Sequence, residues 1–501
     1  MKTFCSSFGV CLAIFIAAMD WSIVNNALPS IQRDLAATLT ELQWMVNALG
    51  LVLTVTMVSM GRFADACGRR RLFMIGLLVC VVSSLGAALS PSAKWLIGFR
   101  ALQGLFVAIT LTTSQSLMTH IFPEEKHGKA MGIYVTLMGL GLCMGPVLGG
   151  VILAIASWHW IFYLNLPIAL LSAILVKLSV QESKNEQQSA KIDGLGLFIL
   201  TIGLGALITA VIQGPDWGWS NPVVLGLFGV AAVFLVCFYF IEHRVSSPLI
   251  KFEFFKKKVF FAACLGNSSL VFLWWGVFFS FPLYLQNILQ VSPFASGMFM
   301  LAMTAPFAVA SHYAGPLGDK VDKKYLIMFG LIVAVAGLLA MTFLKETMDL
   351  VLMLAALILV GLGGGLIIAP STSLGISAIP RNFSGVASGV LCTVQEMGGS
   401  LGLALVGTLL RAMEKNQLAI ELQQEGLQLS EAMKHTIRSL LSSFDQLKVY
   451  LNQQSLIIHE KVLDAFKAAF VVGFHSGLWL CVGVAALCFT VIFLLTLPSR
   501  S

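Results

Sequence analysis

The chain has 501 residues, of which 58% are hydrophobic and only 11% charged, and its formal net charge is +7. A mean hydropathy of +0.89 lies outside the range of soluble domains and excludes a water-soluble enzyme or binding domain. The basic residues are distributed over many loops and form no single patch, so the charge indicates membrane topology and no nucleic-acid partner.

Fourteen apolar segments are long enough to cross a bilayer, because about 20 helical residues span a hydrocarbon core of about 30 Å. Their predicted spans are 8–28, 42–60, 72–89, 95–118, 129–153, 160–180, 194–213, 222–241, 260–284, 296–315, 325–344, 350–370, 385–410 and 468–496. The first segment contains Asp20 and leads directly into further spans, so we expect a retained helix and no cleaved signal.

Lys and Arg residues are distributed unequally between the loops on the two sides of the membrane. Eighteen fall in one set of alternate loops, whereas the other set has only Arg33, Lys94 and Lys345. The positive-inside rule makes the basic side cytosolic, in the inner or plasma membrane. With fourteen crossings, both termini are then predicted to be cytosolic.

Two segments of the first half recur in the second. The run from Gly61 to Arg70 returns as Gly315 to Lys324, and the glycine pattern of 128–145 returns at 385–402. Parallel six-helix repeats are typical of transporters whose two bundles rock about a central site. We therefore predict an all-α membrane fold with one bundle at 1–180, a two-helix insert with its cytosolic flanking loops at 181–258, and a second bundle at 259–501.

Five motifs occur in a fixed order along the first bundle: Asp20–Pro29, Gly61–Arg71, Arg100–Gly104, Gly141–Gly150 and Trp158–Pro167. Together they resemble the fourteen-helix drug:proton antiporters of EmrB/QacA type within the major facilitator superfamily. The resemblance implies a transporter driven by the proton gradient, with no cofactor.

The loop motif suggests a conformational latch. Gly61 permits close packing, and Asp65 would face the positive end of a helix starting near Ser384, with Arg69 or Arg70 compensating its charge. Asp319 is its counterpart in the second half. The alternative is that the basic run only anchors the topology.

Helix 5 carries a stripe of small residues and one proline: Gly141, Gly145, Pro146, Gly149 and Gly150. Such a stripe permits close helix contact, and the proline bends the helix. In the resembled antiporters it packs against the other half and accompanies exchange, which favours export; ordinary helix packing is the alternative.

Charges at membrane depth are costly and usually mark a pathway or relay. Asp20 on helix 1 and Arg100 on helix 4 are predicted to meet, so that Asp20 would lose its proton when Arg100 approaches. A static structural pair is the alternative. Asn25 and Gln103, within the resembled motifs, are candidate substrate-binding residues.

Glu396 near the middle of helix 13 departs from the family, which usually has an uncharged residue there. We expect it to neutralise a cationic substrate or to carry a second proton. The alternative is a protonated acid hydrogen-bonded within its bundle.

Residues 411–466 form a predicted extracytoplasmic loop. Met433, Ile437, Leu440, Phe444, Leu447 and Leu451 follow a heptad stripe, which predicts an amphipathic helix. Packing over the bundle or gating its mouth is the favoured role, and docking a periplasmic adaptor protein is the alternative.

These patterns predict proton-coupled efflux of lipophilic, preferably cationic, drugs by alternating access. Export of an endogenous metabolite and uptake symport are the alternatives. The sequence has no His-Glu-x-x-His or phosphate-binding Gly-x-x-x-x-Gly-Lys-Ser/Thr motif, so we expect neither an enzyme nor direct use of ATP.

Overall fold

The structure, a computed structural model, describes residues 2–122, 127–182, 193–245, 248–318, 320–379, 384–424, 447, 450–452 and 456–496. Within these ranges all regular elements are helical. Fourteen long helices follow one another: α1 (Lys2–Leu35), α2 (Leu39–Cys67), α3 (Arg69–Ala88), α4 (Ala93–Ile121), α5 (His127–Ile155), α6 (His159–Ser179), α7 (Gly194–Trp217), α8 (Pro222–Glu242), α9 (Lys258–Leu283), α10 (Pro293–Leu317), α11 (Lys323–Met341), α12 (Leu350–Ser377), α13 (Ser384–Gln424) and α14 (Leu456–Thr496).

Thirteen of these helices, within the described residues, are long and apolar enough to cross a membrane. The remaining one, α2, has 29 residues and reaches ~43 Å at 1.5 Å per residue, which also exceeds the bilayer core. The prediction of an all-α membrane protein with fourteen crossings is therefore confirmed.

Polar residues fix where several helices begin and end. Thr38 and Glu41 form a reciprocal capping box at the start of α2, and the side chains of Ser92 and Asp349 cap α4 and α12. Gly68 separates α2 from α3 with a φ of +106°, a conformation that other residues rarely adopt. These signals place the short connections at the membrane surfaces.

The helices pack into two halves with the same internal pairing. In the N-terminal half (α1–α6), α1 packs on α5, and α4 packs on both α2 and α3. In the C-terminal half (α9–α14), α9 packs on α13, and α12 packs on both α10 and α11. This repetition confirms the predicted pair of six-helix bundles.

The two-helix insert consists of α7 and α8, which pack on each other. Helix α7 also contacts α2 of the N-terminal half and α13 of the C-terminal half. The insert is thus seated beside the junction of the two halves, a position that the sequence did not predict.

We call the side with the connections 36–38 and 342–349 the distal side, and the opposite one, with Gly68 and residues 320–322, the proximal side. The structure continues α13 to Gln424 and begins α14 at Leu456. Both ends of the predicted 411–466 loop are therefore helical. Their residues Leu418, Leu422, Val462 and Phe466 belong to the buried apolar core, as do Leu447 and Leu451. The predicted residues Met433, Ile437, Leu440 and Phe444 lie outside the described ones.

A polar cluster joins the two halves on the distal side. The Asn26 Nδ2 on α1 donates to the Pro293 carbonyl at 2.9 Å, and Gln286 Nε2 donates to the Asn26 carbonyl at 3.0 Å. Close by, a Cβ on Gly297 of α10 would collide with the Pro146 carbonyl of α5. The halves are therefore in direct contact at this end.

A second distal contact includes the insert. Arg411 on α13 donates to Thr40 Oγ1 on α2 and to the Ile212 carbonyl on α7. One turn earlier, Thr408 Oγ1 donates to the Val211 carbonyl at 2.9 Å. One helix of each half and one helix of the insert meet at this point.

The glycine stripe of α5 does not pack as the resemblance implied. A Cβ on Gly141 would lie 2.9 Å from Ala18 Cβ on α1, and one on Gly149 would lie 2.9 Å from Ile23 Cγ1. Among the four glycines, Gly150 is the one that contacts the other half, at Phe294 of α10. Residues spaced by four share one helix face, and that face points to α1 within the same half.

Substituting Gly145 by Ala should therefore destabilise the α1–α5 contact. The new Cβ would collide with Ser22 Oγ and lie 3.0 Å from the Ile23 nitrogen, so the helices must separate. We expect a loss of about 1–3 kcal/mol in the free energy of unfolding, typical of overpacking. Thermal unfolding of the purified protein measures it.

The matched control is Gly139→Ala on the same helix, whose Cβ would approach only Ala308 Cβ, at 3.9 Å. Equal unfolding temperatures for the two variants would contradict the close α1–α5 contact.

Candidate functional site

A buried ion pair occupies the N-terminal half. Arg100 Nη1 on α4 lies 2.6 Å from Asp20 Oδ2 on α1, and each side chain is 1% exposed. Two opposite charges are thus held together at membrane depth, where neither would be stable alone. The structure brings together the pair that the sequence suggested.

Three uncharged side chains complete the network around this carboxylate. Gln103 Nε2 donates to Asp20 Oδ1 at 3.3 Å, and Asn165 Nδ2 donates to the same oxygen at 3.1 Å. Both amides also donate to Ser84 Oγ, each at 3.2 Å. The charge of Asp20 is therefore distributed over several hydrogen bonds.

The network extends over five helices. Arg100 and Gln103 are three residues apart on α4, which places them on one face, and Arg100 Nη1 donates to Gln103 Oε1 at 2.9 Å. Arg100 Nε donates to the Met45 carbonyl of α2 at 3.1 Å. Since α1, α2, α3, α4 and α6 all contribute, a relative motion of these helices must rearrange the bonds to Asp20.

The two residues predicted to bind substrate have other partners here. Gln103 is 1% exposed and belongs to the Asp20 network. Asn25 Nδ2 donates to the Trp21 carbonyl one turn before it, while its Oδ1 is buried without a hydrogen-bond partner. Their role towards a substrate stays a prediction.

Glu396 on α13 is in a different environment. Its side chain is 4% exposed, and Oε1 accepts a hydrogen bond from the adjacent Gln395 Nε2 at 3.1 Å. Among the residues that the structure describes, no cation forms an ion pair with it. It lines a small pocket between the halves, with Val46, Asn47, Gly50, Trp275, Gly399, Ser400 and Leu403.

The predicted latch is described only in part. The surroundings of Gly61 and of the Asp65 side chain, and Asp319 altogether, lie outside what the structure describes. Arg69 and Arg70 begin α3, where the Arg70 backbone N–H donates to Glu182 Oε1 at 3.0 Å. Arg70 Nη2 also donates to the Lys177 carbonyl of α6 at 2.9 Å.

Sequence reasoning missed Ser84, Asn165 and Glu182. Asn165 lies within the Trp158–Pro167 motif, and that motif could have marked it as a functional residue. It follows the interruption of the helix at Leu164, and its side chain bonds to Asp20. No local pattern marks Ser84. Glu182 accepts the backbone N–H groups of Arg70 and Arg71, as a carboxylate does at a helix start.

Comparison with known proteins gives relatives that are transporters. The chain is 33% identical over 402 residues, 80% of its length and 74% of the relative's, to the multidrug resistance protein Stp of Mycobacterium tuberculosis (strain CDC 1551 / Oshkosh). It is 28% identical to the tetracenomycin C resistance and export protein of Streptomyces glaucescens, covering 80% and 74%. It is also 28% identical to the riboflavin transporter RibZ of Clostridioides difficile (strain 630), covering 79% and 85%.

Among solved structures, the fold is similar to that of a bacterial homologue of the human lysosomal transporter Spinster, in an inward-facing and unoccupied conformation. The TM-score is 0.71 at 15% sequence identity, over 98% of this chain and 97% of that one. The sequence pattern of the Major Facilitator Superfamily matches residues 10–403. Taken with the fourteen-helix architecture, this match shows that the chain belongs to the Major Facilitator Superfamily and is a multi-pass membrane transporter of small molecules.

Proposed function

We propose that this transporter is a proton-coupled exporter of lipophilic, preferably cationic, compounds. The observation that carries the proposal is the Asp20–Arg100 pair, which is fully buried and bonded to residues from several helices. A buried carboxylate with one cationic partner is suited to exchange a proton when that partner moves.

The proposed coupling follows from the geometry. With Arg100 in place, Asp20 is stable as an anion because it receives one charged and two neutral hydrogen bonds. If the transport cycle shifts α4 relative to α1 within the N-terminal half, an unpaired anion at this depth would be costly, and the carboxyl would take up a proton instead. Return of Arg100 would release it.

Topology sets the direction. We propose that the proximal side, with its excess of Lys and Arg, faces the cytosol together with both termini. The protein would then lie in the cytoplasmic membrane, with the distal contacts of Asn26 and Arg411 closing the exit. Opening them would release substrate outside as a proton enters.

The proton gradient is sufficient for this work. One elementary charge crossing 100 mV supplies about 2.3 kcal/mol, and about 1.4 kcal/mol corresponds to a tenfold concentration ratio. One proton per neutral substrate would therefore sustain a gradient of roughly fiftyfold without ATP or a cofactor. Exchange of one proton for a singly charged cation moves no net charge, so the pH difference alone would drive that exchange.

Efflux of a fluorescent lipophilic cation from energised cells that express the full chain tests the function. We expect efflux that stops when a protonophore collapses the gradient, because the protein has no other proposed energy source. Efflux that continues with the protonophore present would contradict proton coupling. If the dye is never moved, the transporter carries some other class of substrate.

A metabolite is the second candidate substrate, and the similarity to a riboflavin transporter favours it. An uptake symporter of the same fold is a third, weaker candidate. Competition tests whether a metabolite uses the same site as the dye. An excess of a neutral, hydrogen-bonding heterocycle such as riboflavin should slow dye efflux only if both bind there.

For the distal extension of α13 and α14 we propose packing or gating in preference to docking an adaptor protein. Leu418, Leu422, Val462 and Phe466 of the extension are buried, and its two helices pack on each other. The extension thus has a structural partner in its own chain.

A further inference from the structure

Buried polar atoms without partners line the junction between α2 and α13. Asn47 on α2 is 2% exposed, and neither its Oδ1 nor its Nδ2 has a hydrogen-bond partner. Ser400 on α13 is 7% exposed, and its Oγ is equally unpartnered. Both line the pocket that contains Glu396.

The packing around these two residues brings the halves close together. Gly50 has no side chain, and a Cβ there would lie 3.1 Å from Ser400 Oγ, so α13 approaches α2 at this point. The pocket has a volume of about 10 Å³, enough for about one water molecule. A larger ligand would enter only when α2 and α13 move apart.

An aromatic surface lies on the third side. Trp275 on α9 lines the same pocket, and its ring centroid lies 5.5 Å from that of Trp21 on α1, edge to face. An indole face attracts a cation or a flat aromatic ring. The pocket therefore combines an acid, hydrogen-bonding groups and an aromatic face.

Unpaired buried amides and hydroxyls are costly, at about 1–3 kcal/mol for each group. Most such groups in proteins have a partner, and an exception needs an explanation such as a ligand. Asn47 offers two donor hydrogens and one acceptor oxygen, more than a single water can satisfy. A ligand with its own donors and acceptors would satisfy them.

We infer that Asn47 and Ser400 bind the hydrogen-bonding groups of the substrate beside Glu396, so that the preferred substrates are aromatic cations carrying amino or hydroxyl groups. This inference rests on the proposed function, because it uses the same pathway between the halves. It assigns substrate discrimination to two uncharged residues, one from each half.

The first test is stability, which needs no substrate. Asn47→Leu and Ser400→Ala remove groups that have no partner in the structure, so the unfolding temperature of the purified full chain should stay the same or rise. Ser280→Ala is the matched control, because Ser280 Oγ donates to the Gly276 carbonyl at 2.7 Å and loses that bond. A clear fall in unfolding temperature for Asn47→Leu would show a structural role and overturn the inference.

The second test is selectivity. Ethidium carries two aromatic amino groups, and 5-ethyl-6-phenylphenanthridinium is the same cation without them, so the pair isolates hydrogen bonding from charge. In vesicles followed by mass spectrometry, Asn47→Leu should reduce transport of ethidium relative to the analogue about tenfold or more, which corresponds to about 1.4 kcal/mol. An equal loss for both cations would also overturn the inference.

The two tests separate this inference from the proposed function. If the unmodified protein carries neither cation, the proposed export of cations fails, and the stability comparison still decides whether Asn47 and Ser400 are structural. If both cations are exported but the ratio does not change in either variant, the proposed function stands and the inference fails.

Discussion

Vesicles containing the Asp20→Asn variant should accumulate no dye when a pH gradient is applied, whereas vesicles with the unmodified protein should. Asn retains the shape of the side chain and can accept hydrogen bonds, but it cannot exchange a proton. The variant also leaves Arg100 buried without a counter-charge, since the two side chains are each 1% exposed. We therefore expect the free energy of unfolding to fall by about 3–5 kcal/mol.

A second variant separates coupling from stability. Asp20→Asn combined with Arg100→Gln removes both charges and should recover most of the lost stability, but no proton-driven transport. If the pair is only structural, the double variant should regain transport together with stability. Asp34→Asn is the control on the same helix, because Asn can still accept the 2.8 Å hydrogen bond from Trp158 Nε1.

The Glu396→Gln variant should lose transport of cationic substrates and retain transport of neutral ones. The carboxylate has no cationic partner among the described residues, so a bound cation is the charge it would compensate. Gln can keep the 3.1 Å hydrogen bond with Gln395, and removing a buried charge should leave stability unchanged or increased. Efflux of a cationic dye beside a neutral drug measures the change.

Glu421, a half-buried acid on the same helix, is the control for Glu396. Glu421 on α13 accepts a hydrogen bond from Gln417 Nε2 at 2.8 Å, and Glu421→Gln should leave the substrate range as it is. An unchanged range in Glu396→Gln as well would remove the substrate role of Glu396 and favour the hydrogen-bonded acid.

The sequence predicted the elements of the fold because most crossings are long, predominantly apolar segments. It also predicted the meeting of Asp20 and Arg100, since charges at membrane depth require partners. It did not predict Ser84, because a serine in a helix bonds to its own turn as readily as to a neighbour, and only helix rotation decides. Gln103 was assigned to substrate for the same reason, although here it bonds to Asp20.

The glycine stripe illustrates a second limit. Spacing by four identifies a helix face suited to close contact, but it does not say which helix will occupy that face. In the structure Gly141, Gly145 and Gly149 face α1, and only Gly150 of the four faces α10. The sequence also could not show that the polar groups of Asn47 and Ser400 lack hydrogen-bond partners, since this depends on how the helices pack.

The anchoring of the insert has a consequence for its own sequence. Pro215 has no N–H, so the Val211 carbonyl four residues earlier cannot receive the usual helical hydrogen bond, and Thr408 supplies the donor from α13. Arg411 binds the next carbonyl along, at Ile212. Both acceptors belong to the backbone, so the attachment does not depend on the side chains of α7. The insert is thereby attached to α13 through its own backbone at the point where α2 also meets α13.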